Sequence, residues 1–219
     1  MSISKLINNF SALRASESCI FILRHAEKVI ASNMHADLDS TLTVNGIKSS
    51  RELGCVLHSL YPKVGVVRSS PIARCLGTAK NIFLEYPKNI VVAHDSDLGG
   101  DGIYVSDNIL AAQYFLKDPS RKDIFIRMQA GDIFAGMRDV KTGTKLLLTK
   151  IMQDLKSFTV PSFYITHDSI LALFVGTMIQ QVIDETNWFK YLDGICIKII
   201  DNKVNLYWEE ECFDISWEK

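Results

Sequence analysis

Three short segments of this sequence place polar side chains directly after runs of apolar residues. The segments are residues 23–27, 68–74 and 166–168. Each apolar run is typical of a buried strand, and open α/β sheets build their sites at the carboxyl ends of parallel strands. We therefore expect the polar side chains of the three segments to meet at one edge of a sheet.

The residue types in these segments suit the transfer of a phosphoryl group. Arg24 and Arg74 each carry a guanidinium, whose paired donors match phosphate oxygens and which stays charged at every relevant pH. The imidazole of His25 can attack phosphorus when neutral, and nearby arginine charge favours that form by lowering the histidine pKa. His167 adds a second imidazole, and Asp168 could protonate the leaving oxygen and then activate water. Such a set needs no metal ion, since the transfer depends mainly on positioning and charge stabilisation.

Each of these residues also has an ordinary structural explanation. Arg24 and His25 could end a strand that reaches solvent, and Arg74 could be an exposed helix residue. Asp168 opens a predicted helix, where an N-capping role is a sufficient reason for a carboxylate. His167 by itself is more typical of a hydrogen-bonded structural histidine. The functional interpretation is favoured because all three segments follow predicted core strands and their chemistries complement one another.

Short apolar runs alternate with helical patterns along the chain. The predicted strands occupy residues 19–23, 64–67, 90–93, 163–166, 195–200 and 204–208. Helical spacing follows Thr43, surrounds Leu76 and Leu148, and extends over about 169–181. This alternation predicts an α/β fold with a largely parallel central sheet and helices on both faces. The segment at about 95–158 is predicted to be a mainly helical, cap-like insertion near the active site.

Size and charge exclude several broad classes of protein. The 219 residues suit one domain, 1–219, that carries the insertion. A net charge of −1 without long charged runs argues against binding to nucleic acid or to anionic membranes. No apolar stretch approaches the roughly 18 residues that cross a bilayer. Residues 1–18 lack the continuous apolar centre of a signal peptide.

Cysteine and histidine spacing bears on compartment and cofactors. The five cysteines are scattered without a CxxC motif, which favours reduced thiols and a cytoplasmic protein. His35, His58 and His94 share no metal-ligand spacing, so we expect neither a metal nor another cofactor. The expected partner is a small phosphorylated substrate, although a phosphoprotein stays possible. The oligomeric state is not predicted.

Four motifs, in this order along the chain, resemble those of the histidine phosphatase superfamily, also called the phosphoglycerate mutase-like superfamily. Residues 24–26 resemble the RHG/RHA element that ends the first strand, and residues 42–46 resemble the L-T-x-x-G helix opening. Residues 69–79 are similar to the S-S-P-x-x-R-x-x-x-T-A element, and residues 166–168 resemble the late histidine motif. The matches cover the chain from about residue 20 to 175, and their combination is specific although each one alone is weak.

The resemblance implies a phosphoglycerate mutase-like fold and metal-independent hydrolysis of a phosphomonoester through a covalent phosphohistidine on His25. It also implies that Arg24, Arg74 and His167 form the rest of the phosphate pocket. The phosphoryl group would pass first to the imidazole and then to water. Two alternatives stay open, a phosphomutase or phosphotransferase of the same superfamily and a non-catalytic protein that binds a phosphate ligand.

The resemblance leaves the proton donor open. One branch takes its acid from a His-Asp pair, which Asp168 matches, whereas the mutase-like branch uses a glutamate from the loop after the third strand. Here that loop, residues 94–102, contains no glutamate, so we expect Asp168 to be the donor, followed by Asp101 and then Glu27. Arg68 would favour a second anionic group on the substrate if it turned inward, but an exposed side chain is the main expectation.

Overall fold

A computed structural model describes residues 18–30, 37, 39–87, 90–99, 102–117, 122–201 and 203–215. These residues form a seven-stranded sheet with helices on both faces. The strands are β1 (Cys19–Arg24), β2 (Val67–Ser69), β3 (Val92–His94), β4 (Ser162–Thr166), β5 (Gly194–Ile200), β6 (Lys203–Trp208) and β7 (Glu211–Ile215). The helices are α1 (Val44–Leu60), α2 (Ala73–Ile82), α3 (Asn108–Lys117), α4 (Lys122–Gln129), α5 (Val140–Ser157) and α6 (Asp168–Ile179), with a 3₁₀ turn at Ser96–Leu98.

The sheet is parallel in its centre and antiparallel at one side. Its strand order is β3-β2-β4-β1-β5-β6-β7, in which β3, β2, β4 and β1 run parallel. Strands β5, β6 and β7 continue it in antiparallel pairs. The predicted α/β fold is thereby confirmed. Strand β7 was not predicted, because it is an edge strand whose residues are mostly exposed and carry little apolar pattern.

Two helical layers bury alternate residues of the central strands. Phe21 and Leu23 of β1 pack in the core beneath α1 and α2, whereas Ile20 and Ile22 pack in the core beneath α5 and α6. Burial on both faces is why β1 reads as a continuous apolar run in the sequence. None of the helices within the described ranges is long and apolar enough to cross a membrane.

The N-terminus of α1 is held against the segment that follows β1. The hydroxyl oxygen of Thr43 accepts a hydrogen bond from the backbone N–H of Gly46 at 2.9 Å and caps the helix. Gly46 packs so closely on the backbone that a Cβ there would lie 2.2 Å from the carbonyl oxygen of Glu27. The Thr-x-x-Gly pattern therefore fixes how α1 docks beside the loop that contains His25.

The segment at about 95–158 contains α3, α4 and α5. Helix α5 packs on the sheet beside α6, and Leu147 and Ile151 are fully buried in the same core as Ile20 and Ile22. Helix α4 contacts α6, and side chains of α3 and α4 line the cavity described below. The assignment of residues 1–219 to one domain with an insertion in this segment stays a prediction.

Candidate active site

A cavity of about 370 Å³ opens at the carboxyl ends of β1 and β4. Its polar end is lined by all five residues that sequence analysis placed in the site, namely Arg24, His25, Arg74, His167 and Asp168. The backbone N–H of His25 donates to the carbonyl oxygen of Thr166 at 2.9 Å, one residue beyond the paired strands. The parallel pairing of β1 with β4 therefore sets the distance between the two histidines.

The imidazole of His25 is buried and held at both ring nitrogens. Its Nδ1 lies 2.8 Å from the carbonyl oxygen of Ala26. A carbonyl oxygen only accepts, so Nδ1 carries the proton and Nε2 carries the lone pair. Nε of Arg74 donates to that Nε2 at 3.1 Å. The unprotonated nitrogen of His25 thus faces the guanidinium of Arg74.

The second imidazole, His167, stands against the first, with 5.4 Å between the ring centroids. Nη2 of Arg74 lies 3.4 Å from Nδ1 of His167, and Oγ of Ser70 lies 3.0 Å from its Nε2. A guanidinium only donates, so Nδ1 accepts and Nε2 donates to the serine. Arg74 therefore bridges both imidazoles with different nitrogens of one planar group.

Arg24 and Asp168 form an ion pair at the other side of the polar end. Nη2 of Arg24 lies 2.9 Å from Oδ2 of Asp168, and Nη1 donates to the carbonyl oxygen of Phe189 at 2.7 Å. The same Oδ2 accepts from Nε1 of Trp188 at 3.0 Å. Cζ of Arg24 lies 4.3 Å from the ring centroid of Tyr191, which is within cation–π range. Arg24 Nε is buried and has no hydrogen-bond partner among the described residues.

Burial and arginine charge keep both imidazoles neutral. Burial first, then the charges of Arg74 and Arg24, lowers the pKa of His25 from 6.5 to about 3. The same causes, burial and then the Arg74 charge, lower the pKa of His167 well below its usual value. Burial alone would raise the pKa of Asp168, but the Arg24 charge and the Trp188 hydrogen bond outweigh it and lower the pKa. The free site therefore holds two neutral imidazoles and an ionised carboxylate.

Two further charged residues at this end were missed by sequence reasoning. Nη1 of Arg74 donates to the carbonyl oxygen of Asp37 at 2.8 Å, and Lys28 forms an ion pair with the Asp37 carboxylate. Both residues line the cavity. Lys28 carried a signal, since it lies three residues after His25, but nothing in the sequence pattern pointed to Asp37. Ser70 lay inside a recognised motif without an assigned role.

Of the two alternative proton donors, Asp101 and Glu27, the described residues include Glu27. Asp101 lies outside the described residues, so its role as an alternative donor stays a prediction. The carboxylate of Glu27 accepts from the Thr43 hydroxyl at 2.8 Å and from the Asn45 amide at 3.0 Å. These bonds, Asn45 first, lower the pKa of Glu27, and the residue does not belong to the cavity lining. Glu27 thus supports the start of α1 rather than the site.

Arg68 turns neither to open solvent nor into the cavity. Its Nε and Nη2 donate to the two carboxylate oxygens of Asp154 at 2.7 and 3.0 Å. The expectation of an exposed side chain is wrong, because the Arg68 side chain is 27% exposed and pairs with the carboxylate of Asp154 on α5. The alternative of a second substrate anion bound by Arg68 loses its basis, since the cavity lining does not include this residue.

Comparison with solved structures finds this arrangement of elements in other proteins. Bacillus stearothermophilus YhfR superimposes with a TM-score of 0.61 at 15% identity, over 88% of this chain and 96% of that one. A mycobacterial glucosyl-3-phosphoglycerate phosphatase, solved with VO3, gives a TM-score of 0.58 at 16% identity over 89% and 100%. An Entamoeba histolytica phosphoserine phosphatase mutant, solved with phosphoserine, gives 0.57 at 15% over 86% and 94%.

The chain has the fold of the histidine phosphatase superfamily. The resemblance inferred from the four motifs is therefore confirmed in the fold. No protein-family model and no curated protein sequence matches this chain. At 15 to 16% identity the likeness concerns the path of the backbone, and the chemistry has to be argued from the side chains of this chain.

Proposed function

We propose that this chain is a phosphomonoester hydrolase that acts through a covalent phosphohistidine on His25. The observation that carries the proposal is the pairing of the unprotonated Nε2 of His25 with the guanidinium of Arg74 at 3.1 Å inside the cavity. A nucleophile and a phosphate-binding group next to each other are what an in-line attack on phosphorus requires. Structural neighbours that are phosphatases support the same reaction class.

The charges at the polar end suit a phosphate dianion. The lining there includes three cations, Arg24, Lys28 and Arg74, and two carboxylates, Asp37 and Asp168. Arg74 would turn its Nε–H from His25 to a phosphate oxygen, and Arg24 would bind a second oxygen. Nδ1 of His167 would take up a proton and donate to a third, because a bound anion raises the pKa of a neighbouring imidazole.

In the first step, Nε2 of His25 attacks phosphorus and the bond from phosphorus to the ester oxygen breaks. The N–H at Nδ1 keeps donating its hydrogen bond to the carbonyl oxygen of Ala26, which keeps the attacking ring oriented. The phosphoryl group is then bonded to nitrogen, and the two arginines stabilise the charge on its oxygens. The electron pair of the broken bond leaves with the alcohol oxygen, which needs a proton.

Asp168 is the proposed source of that proton. In the free protein its pKa is lowered, mainly because Arg24 and Trp188 counteract its burial. A bound phosphate dianion adds negative charge beside the carboxylate and draws on the Arg24 charge, so it favours the protonated form. In the second step the carboxylate would accept a proton from the water that attacks the phosphohistidine, which releases phosphate and restores both residues.

The first test is phosphate release by the intact chain across sugar phosphates, nucleotides, alkyl phosphates and p-nitrophenyl phosphate. A phosphoryl adduct should be detected on His25 by mass spectrometry after an alkaline quench, because phosphohistidine is labile to acid. His25→Ala should lose both turnover and adduct, by on the order of 10⁴-fold or more in kcat. His94→Ala, at an exposed histidine, is the matched control and should keep both.

Other outcomes separate the alternatives. Turnover that survives in His25→Ala would remove the covalent mechanism. Exchange of label between two phosphorylated isomers without phosphate release would indicate a phosphomutase or phosphotransferase. Tight binding of inorganic phosphate with neither turnover nor adduct would indicate a non-catalytic phosphate-binding protein.

A further inference from the structure

The cavity continues beyond its polar end into a region built from apolar side chains, here called the apolar chamber. Helices α3, α4 and α6 and the segment before α5 contribute the side chains that form it. Its walls include Ala112, Phe115, Phe125, Met137, Ile170 and Leu173. Phe125 is buried, and Phe115 and Met137 are half-buried against the same core. The chamber is part of the same cavity as His25, so the alcohol group of a phosphate ester bound at the polar end can extend into it.

Two aromatic residues of the chamber have their polar atoms engaged elsewhere. The hydroxyl of Tyr104 lies 2.9 Å from the hydroxyl of Thr144, and Nε1 of Trp188 donates to Asp168. These residues therefore offer the chamber ring carbons rather than free donors. Among the described residues of the cavity lining outside the polar end, the other polar side chains are Asn108, Lys122 and Ser169.

We propose, on the basis of the phosphatase function above, that the substrate is the phosphate ester of an apolar alcohol. The phosphate lies at the polar end and an alkyl or aryl group fills the apolar chamber. A polyhydroxylated alcohol such as a sugar would bring hydroxyl groups into a wall that offers few partners, and an unpaired hydroxyl loses the hydrogen bonds it made to water. An apolar group gains free energy from the same wall in proportion to the area it removes from water.

The proposal predicts a dependence on chain length. Each methylene that leaves water for an apolar wall favours binding about fourfold. The n-alkyl phosphates from ethyl to octyl differ in length, while their leaving alcohols have nearly the same basicity. Their kcat/KM values should rise about fourfold per methylene until the chamber is full, and glycerol phosphate should fall below propyl phosphate.

A binding series separates this inference from the proposed reaction. The n-alkylphosphonates carry the same tails but no ester bond, so their dissociation constants can be measured by calorimetry whether or not the chain turns over esters. We expect the dissociation constant to fall by the same factor of about four per methylene. The heat capacity change of binding should become more negative with each added methylene.

A variant pair locates the effect in the chamber. Phe115→Asn places a polar amide in the wall and should flatten the dependence on chain length for both esters and phosphonates. Phe213→Asn is the matched control, because Phe213 is another half-buried phenylalanine packed on the same core, on β7, outside the cavity lining. This control should keep the slope of the wild-type chain.

Each outcome decides one of the two claims. Phosphonate affinities that do not rise with chain length would overturn the apolar-alcohol assignment, even if the chain hydrolyses phosphate esters. Rising affinities that persist in Phe115→Asn would also overturn it, since the tail would then lie elsewhere. A third outcome is an affinity that rises with chain length in the wild-type chain but not in Phe115→Asn, while neither chain hydrolyses any ester. This outcome would support the chamber as the binding site and would contradict the proposed reaction.

Discussion

Two clusters of charged residues lie beside the same sheet, and their net charges have opposite signs. The pocket cluster comprises Arg24, Lys28, Asp37, Arg74 and Asp168, three cations against two carboxylates. The edge cluster lies beside β2 and β3 and comprises Arg68, Asp95, Asp97, Lys150 and Asp154, two cations against three carboxylates. The pocket cluster lines the cavity and the edge cluster does not.

The difference lies in what each cluster leaves for a ligand. Lys150 donates to both oxygens of Asp95 at 2.7 and 2.8 Å, and Asp154 accepts from Arg68 and, at 2.6 Å, from the hydroxyl of Tyr164. The carboxylates of the edge cluster pair with both of its cations, and the third carboxylate leaves the cluster with a net negative charge, which repels a phosphate. The pocket cluster instead surrounds two neutral imidazoles with excess positive charge. We therefore expect the balance of positive and negative charge, rather than the number of charged residues, to decide which cluster binds a phosphate.

The largest effect is expected when the pocket cluster loses Arg74, the residue that bridges the imidazoles of His25 and His167. Arg74→Met removes donors to His25 and His167 at once, so kcat/KM should fall on the order of 10³-fold. The pKa of His25 should rise, since the Arg74 charge is one of the causes that lower it. Steady-state kinetics and imidazole NMR titration measure the two effects.

The control is Arg51→Met, at an exposed arginine on α1. A kcat/KM value in Arg74→Met that matched this control would show that the bridging guanidinium does not bind the reacting group.

A smaller effect is expected at the carboxylate of the pocket cluster. Asp168→Asn keeps the shape of the side chain but cannot protonate the leaving oxygen, so kcat for an alkyl phosphate should fall on the order of 10²-fold. For p-nitrophenyl phosphate the loss should be clearly smaller, because nitrophenolate leaves without a proton. Equal losses on the two esters would contradict the role of Asp168 as the acid and would direct attention to Asp101.

The edge cluster should respond in stability rather than in activity. Arg68→Met leaves Asp154, whose side chain is 8% exposed, without its bidentate partner, so the free energy of unfolding should fall by about 2 kcal/mol. Urea denaturation gives this value, and kcat/KM should stay within about twofold of the wild type. The double variant Arg68→Met/Asp154→Asn should recover part of the loss, because a neutral amide leaves no buried charge. If kcat/KM of Arg68→Met fell as far as that of Arg74→Met, the edge cluster would also contribute to activity, and the proposed difference between the two clusters would be wrong.

The neutral imidazoles of His25 and His167, which the pocket cluster surrounds, should also make stability depend on pH. The unfolded chain binds a proton at His25 below pH 6.5, whereas the folded chain does so only near pH 3, so the free energy of unfolding falls as the pH falls through this window. Between pH 7 and pH 5 the contribution of His25 amounts to about 2 kcal/mol, and His167 acts in the same direction. Urea denaturation at several pH values should show that His25→Gln reduces this dependence and that His94→Gln, at an exposed histidine, does not. An unchanged slope in His25→Gln would mean that the pKa of His25 is the same in the folded and the unfolded chain.

Prediction from the sequence was most accurate where strands are buried on both faces. The predicted strands at 19–23 and 163–166 differ by one residue from Cys19–Arg24 and Ser162–Thr166. The strand predicted at 64–67 is observed at Val67–Ser69, because pairing with β3 and β4 continues through the polar end of the segment. Continuous apolar runs locate buried strands well, whereas the ends of a short strand such as β2 depend on pairing with strands that lie far away in the sequence.

The sequence by itself determined the chemistry available at the polar end. Each of the five site residues lies within a short motif that begins or ends a predicted element, and an element end is a local property of the chain. Only the tertiary structure decided the partners of these residues and the walls of the chamber. Asp37 and the apolar side chains of α3 and α4 reach the cavity through packing between distant segments. The ring of Tyr191 packs against Arg24 in the same way. No local pattern encodes such contacts, because they depend on which helix covers which face of the sheet.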